Sequence, residues 1–269
     1  MELNLTVVGA GVGGSALKRE AEARGHAVRL LSHGEPVSEV ALAVVRESYV
    51  DRYPSGKEAA RYALAQYAAA GVEVVNGADV TTFMKPGAEP VHRDDWNAVN
   101  PRSGYLLAPD EDRWVPEGWD DPDAFLTIWA SGAALPGKTS FGGTWVNEDP
   151  EALDVRFAIH QYAPYRTADA VRYADHCRLG SSMGTTAEGA VEGAHKIMAI
   201  AAALGWVRGG TTVAVPQGWK LLVGIRVERE RIAIAEDGRV TFGGFHRDGW
   251  GLAPFRARQV IERLEAITK

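Results

Sequence analysis

The stretch LNLTVVGAGVGGSALKREAEARGHAVRLL, residues 3–31, constrains the fold of this chain more than any other. Apolar residues 3–8 predict a buried strand, residues 15–24 a helix with one apolar face closed by Gly25, and residues 26–31 a second strand. A strand–helix–strand unit crosses over right-handed, so the two strands should lie parallel in one sheet. The turn fits G-x-G-x-x-G with Gly9, Gly11 and Gly14, and Gly13 stands beside them. The first glycine permits the tight turn, the second lets backbone approach a pyrophosphate, and the third lets helix and sheet pack closely. Unpaired N–H groups at the helix start then face the phosphates. The expectation is dinucleotide binding. The acid usual at the end of the second strand is absent: Leu31, Ser32 and His33 stand there. Ser32 could donate to the ribose, Glu35 could be displaced into that role, or a 2′-phosphate as in NADP could be met by Arg29 or His33.

Composition narrows the classes. The chain has 269 residues, 46% of them hydrophobic, enough for one substantial core and a smaller second one. The longest nearly apolar helix candidate, His195–Val207, falls short of the roughly 20 residues a bilayer span requires, and residues 1–8 show no leader pattern. We therefore expect a cytoplasmic protein with no membrane partner. The formal charge of −6 disfavours a broad grip on nucleic acid while leaving a local basic groove open. A single cysteine excludes intrachain disulfides and multi-thiolate metal sites, and the seven histidines show no metal-binding spacing. Cys177 reads as a buried structural thiol, and no metal is expected.

Further along, helices are predicted over 39–49, where β-branched valines leave room for a strand, and over 57–70, 188–204 and 253–267. Strands are predicted over 71–75, 80–84, 124–133, 142–147, 155–167, 170–182 and 220–228. Residues 85–123, rich in proline and acids, read as a long surface excursion with room for a short hairpin inside it. The last segment, VTFGGFHRDGWGLAPFRARQVIERL (240–264), is a strand, a second glycine-rich turn and a helix. A resident flavin needs such a second set of backbone amides, with a helix N-terminus stabilising negative charge on the ring.

The two ends together resemble the FAD-dependent oxidoreductases of the D-amino-acid oxidase and glycine oxidase family. The resemblance implies an α/β fold: a Rossmann-like FAD-binding domain built from both chain ends (1–147 and 220–269) with an inserted, mostly β substrate domain (148–219). It implies that Gly9, Gly11, Gly13, Gly14 and Ser32 serve the ADP half, and that Gly243, Gly244, Asp248, Gly249, Trp250, Gly251 and Leu252 serve the flavin half. AFLTIWASGA (124–133) is similar to the family strand that ends near the cofactor, which adds Ser131 and Gly132. In KLLVGIRVE (220–228) the Gly-x-Arg resembles the family's substrate strand, implying that Arg226 clamps a carboxylate. His246 and Arg247 lie in the flavin-facing turn. Alternation sets His160 and Tyr162 on one side of the inserted sheet, which in this family covers the substrate.

The implied activity is FAD-dependent oxidation of a C–N bond in an amino acid or secondary amine. Hydride passes to flavin N5, an imine forms, and its hydrolysis would cleave the C–N bond. The substrate would be a small amine, or an amine carried on a larger molecule. An NADP-dependent reductase and a non-catalytic dinucleotide-binding protein are the alternatives.

Overall fold

The computed structural model describes residues 2–32, 37–50, 53–76, 80–83, 95–111, 115–116, 119–130, 138–163, 166–180, 182–227, 231–234, 240–243, 245 and 248–269. In chain order the strands are β1 (Asn4–Val8), β2 (Ala27–Leu31), β3 (Val44–Arg46), β4 (Val74–Val75), β5 (Val80–Phe83), β6 (Trp96–Val99), β7 (Leu126–Trp129), β8 (Thr139–Asn147), β9 (Phe157–Ala163), β10 (Arg166–Arg172), β11 (Cys177–Gly180), β12 (Trp219–Val227), β13 (Arg231–Ile234) and β14 (Val240–Gly243). The helices are α1 (Val12–Ala23), α2 (Glu47–Val50), α3 (Gly56–Ala69), α4 (Ala187–Ala203) and α5 (Gly249–Ile267).

The fold is α/β and Rossmann-like, with a β-rich insertion. One sheet runs β13-β14-β7-β1-β2 and so takes strands from both ends of the chain. β2, β1, β7 and β14 are mutually parallel, with Val8 opposite both Leu31 and Trp129, and Thr241 opposite Trp129. The carboxyl ends of four strands therefore share one edge, where ligands of open α/β sheets bind. Leu5, Val7, Leu30, Ile128 and Phe242 are buried under α1, α3 and α5 in the main core. On the other face Val8, Leu31, Val115 and Trp129 form a smaller cluster.

A second sheet runs β12-β8-β11-β10-β9-β5. Its two faces follow from the register. Ala158, Ala168, Ala170, Leu179 and Trp145 pack with α4, whose small residues allow close approach: a Cβ on Gly143 would lie 3.2 Å from Ala194 Cβ. Phe157, Ile159 and Val171 pack on the opposite side, against Leu42 and against Val75 and Ala98 of the three-stranded sheet β3-β6-β4.

Within 39–49, read as helix with room for a strand, Val44–Arg46 form a strand paired with β6, and only Glu47–Val50 are α-helical. The valines there favour the extended backbone, and β6 supplies the partner. The excursion 85–123 contains β6 itself, whose Ala98 and Val99 are fully buried; four residues between polar flanks give no period to read. The six-stranded sheet includes β8 and β12, from either side of the domain boundaries expected at 147/148 and 219/220.

Candidate functional site

At the end of β1, Gly9 adopts φ +114°, a conformation open to glycine, and its N–H donates to Leu31 O at 2.8 Å. A Cβ on Gly14 would stand 1.8 Å from Gly9 O, so α1 can lie this close to its strand only without a side chain there. Gly13 faces the Phe242 ring of β14, 3.3 Å from where a Cβ would be. Gly11 is the N-cap of α1 and makes no side-chain cap bond. Instead Val12 N–H donates to Ser38 Oγ at 2.9 Å, and a Cβ on Gly11 would meet that hydroxyl at 2.9 Å. The start of α1 thus presents its N–H to an oxygen acceptor, beside a cradle that a methyl group on Gly11 would fill. The turn fits a pyrophosphate.

The second glycine turn meets the first. A Cβ on Gly249, the first residue of α5, would lie 3.4 Å from Val12 Cγ1, the first residue of α1. Two helix N-termini therefore converge at the carboxyl edge of one parallel sheet. Asp248 caps α5 by position but makes no side-chain cap bond; its Oδ2 accepts from Tyr53 OH at 3.0 Å. Gly243 ends β14. Leu252 and Trp250 are buried, and the Trp250 ring packs with Tyr67 and Tyr105, at centroid distances of 5.7 and 6.1 Å, within the core. Gly251 packs toward Val45 and Val50. Gly244, His246, Arg247, Ser131 and Gly132 lie outside the described residues, and so do His33 and Glu35.

Arg226 is described by its backbone, opposite Ser140 in the β12–β8 ladder. His160 and Tyr162 do share a face, as alternation requires, but it is the face that α4 covers. His160 stands opposite Ala168, and Lys196 of α4 lies 5.2 Å over the Tyr162 ring. Ser32 is half-buried just past β2. Arg29, a candidate partner for a 2′-phosphate, is ion-paired with Asp121 and lies 3.5 Å from Glu111. Burial alone would raise the Asp121 pKa, but hydrogen bonds from Thr6, Asp123 N–H and Arg29 hold it below the usual carboxylate range.

Several site neighbours left no local sequence signal, because their partners are distant in the chain. Arg46 of β3 reaches the buried Asp169 of β10 and stacks over Trp96 at 4.6 Å, bridging the small and large sheets. Ser38 reaches α1 across 26 positions. Cys177 is buried, and its thiol is pushed up to about 12, chiefly by burial, so the thiolate is disfavoured. Among the described residues, no group of His, Cys, Asp and Glu could hold a metal ion, and no helix is long and apolar enough to cross a membrane.

The arrangement has known counterparts. The chain superposes on iminodiacetate oxidase from Chelativorans sp. BNC1 with a TM-score of 0.66 at 14% identity, over 96% of this chain and 95% of that one. It superposes on glycine oxidase from Geobacillus kaustophilus with a TM-score of 0.68 at 14% identity, over 98% and 95%. Against p-nitrophenol 4-monooxygenase from Pseudomonas putida the TM-score is 0.56 at 15% identity, over 100% and 81%. This is the fold of FAD-binding oxidoreductases. At such identities the fold is what is shared, and it serves more than one chemistry. No protein-family model matches the chain, and no curated protein matches it by sequence.

Proposed function

We propose that this protein binds FAD and oxidises a C–N bond in an amino acid or secondary amine. The observation that carries the reading is the meeting of the two glycine turns, Gly249 against Val12, at the carboxyl edge of the parallel sheet. One turn suits the pyrophosphate, and the other brings a second helix N-terminus to a long ligand. NADP is disfavoured because Arg29 is already paired with Asp121. The higher TM-scores with the two oxidases than with the monooxygenase support amine chemistry.

Bound FAD would supply the two-electron oxidant; the substrate would give up hydride from carbon and a proton from nitrogen to become an imine, which water would hydrolyse to the carbonyl product and the amine. The chain's own residues would bind and orient. The backbone at Gly11 and the start of α1, beside Ser38, would hold the pyrophosphate, Ser32 would meet the ribose, and the turns around 131–132 and 243–252 would hold the ring. Asp248, fixed by Tyr53, would set the start of α5. The six-stranded sheet would form the substrate side, with Arg226 anchoring a carboxylate in a bidentate grip and His246 or Arg247 facing the reduced ring.

Apoprotein titrated with FAD and with NADP tests the cofactor: FAD should bind and NADP should not, and the reverse result would overturn the proposal. Arg226→Lys keeps charge but loses the planar fork. It should lower kcat/KM by about 10², or about 2.7 kcal/mol, on an amine bearing a carboxylate, while leaving its counterpart without a carboxylate nearly unchanged. Equal losses on both would remove Arg226 from substrate binding.

A further inference from the structure

The face of the six-stranded sheet that turns toward the nucleotide-binding half carries a fully buried arginine that, among the described residues, has no acid in direct contact. Arg178 of β11 is 1% exposed. Its Nε donates to His176 Nε2 at 2.9 Å, and its Nη1 donates to Glu39 O and, at 2.8 Å, to Ala41 O. Since His176 Nε2 accepts, the ring's proton is on Nδ1, which donates to Asp175 Oδ1 at 2.7 Å. Asn100 Nδ2 donates to the same carboxylate oxygen at 3.0 Å. The carbonyls that Arg178 grips flank Val40, in the segment whose Ser38 lies on the first glycine turn.

Resting on the dinucleotide reading, we propose that Arg178 is a positioning residue for the cofactor. Held by the Asp175–His176 pair, it clamps residues 39–41 and so sets Ser38 over the N-terminus of α1, tying the cofactor cradle to the substrate-side sheet. A salt-bridged arginine would be satisfied by its acid. This one spends its donors on backbone carbonyls of another segment, which suits an anchor.

The clamp has a proton-sensitive link. A second proton on His176 would go on Nε2, where it would confront the Arg178 N–H and guanidinium charge. Among the described residues, the charged and titratable groups around this link are Asp175, Arg178, Arg102, Glu148, Tyr173, Glu73 and Glu39. Burial first, and then Arg178, hold the His176 pKa below its ordinary 6.5, despite the bond to Asp175. A histidine with a lowered pKa contributes above its ordinary pKa, and its contribution falls away as pH drops through the folded value. The clamp is therefore closed at neutral pH and opens on acidification.

The test compares wild type, Arg178→Lys and His176→Gln. In apoprotein, Arg178→Lys should speed amide hydrogen exchange at residues 38–43 by tenfold or more without doing so in β1, and should raise the Kd for FAD at least tenfold at pH 8. His176→Gln keeps an acceptor for Arg178 but cannot be protonated. Its Kd at pH 8 should stay within about threefold of wild type, and the weakening of FAD binding that wild type shows as pH falls below 6.5 should be largely absent. Unchanged exchange and Kd in Arg178→Lys would overturn the proposal, as would an acid-side loss in His176→Gln equal to wild type's. Should Arg178→Lys fail to fold, the His176→Gln pH comparison decides. If wild type takes up no FAD, the cofactor reading fails, and the exchange comparison alone decides whether Arg178 anchors the segment.

Discussion

One added methyl group separates the roles of the glycines in the first turn. At residue 14 it would stand 1.8 Å from Gly9 O, a backbone atom that cannot swing aside. At residue 11 it would stand 2.9 Å from Ser38 Oγ, a hydroxyl that can rotate. Gly14→Ala should therefore damage the fold itself, by about 3 kcal/mol or more, since α1 must move off its strand. Gly11→Ala should cost the apoprotein about 1 kcal/mol, the worth of the displaced Ser38 bond. It should nevertheless weaken FAD binding at least tenfold, about 1.4 kcal/mol, because the methyl fills the space the pyrophosphate needs. Thermal unfolding of the apoproteins and FAD titration of Gly11→Ala check the pair. Equal destabilisation by both substitutions, or a normal FAD Kd in Gly11→Ala, would refute this division. The same turn shows what residue spacing can reveal. Gly9, Gly11 and Gly14 are legible because their partners lie a few residues away or are backbone. Ser38, Arg46 and Arg178 are not, because each acts on a group brought near by the fold.

At the scale of elements, α5 begins four residues before the expected helix, at Gly249, and runs through Pro254. Proline has no N–H, so the carbonyl four residues back, that of Trp250, loses its helical donor. Tyr67 OH of α3 donates to that carbonyl instead. Tyr67 is fully buried, and burial raises its pKa well above 10, so the hydroxyl stays protonated as this bond requires. Tyr67→Phe should cost about 1–3 kcal/mol, the penalty of a buried carbonyl left unsatisfied. In a Pro254→Ala background the helix can supply its own N–H, and the cost of Tyr67→Phe should shrink to under about 1 kcal/mol. Denaturant unfolding of the four proteins in a double-mutant cycle reads the coupling; an equal cost in both backgrounds would mean that Tyr67 does not stand in for the missing donor. Elements with a long period, such as α3 and α4, lie within a few residues of where the sequence puts them. β3 and β6 escape because three or four residues carry no period, and what makes them strands is each other. His160 and Tyr162 show the complementary gap: alternation says which residues share a face, while the neighbour covering that face is set by tertiary packing.

In the whole molecule, the site is assembled from segments that the chain order keeps far apart. β1 near the start, β7 in the middle and β14 near the end are adjacent in one sheet, and α1 packs on α5. The glycine turns at residues 9–14 and 243–252 lie close only because this sheet forms, so a ligand touching both binds the folded chain and not the unfolded one. Such a ligand stabilises by RT ln(1 + [L]/Kd), about 2.7 kcal/mol at a hundred times its Kd. For a chain of this size each kcal/mol moves the midpoint by roughly 2–4 °C, so FAD at that excess should raise Tm by about 5–10 °C. ADP-ribose, which can reach the first turn but has no flavin to reach the second, should bind more weakly and give a smaller shift at the same concentration. NADP should give none, with Arg29 held by Asp121. Differential scanning calorimetry of the apoprotein with each compound measures all three. A shift with ADP-ribose as large as that with FAD would mean that the second glycine turn contributes nothing to the cofactor, and its place beside Val12 would then be a matter of packing two helices together.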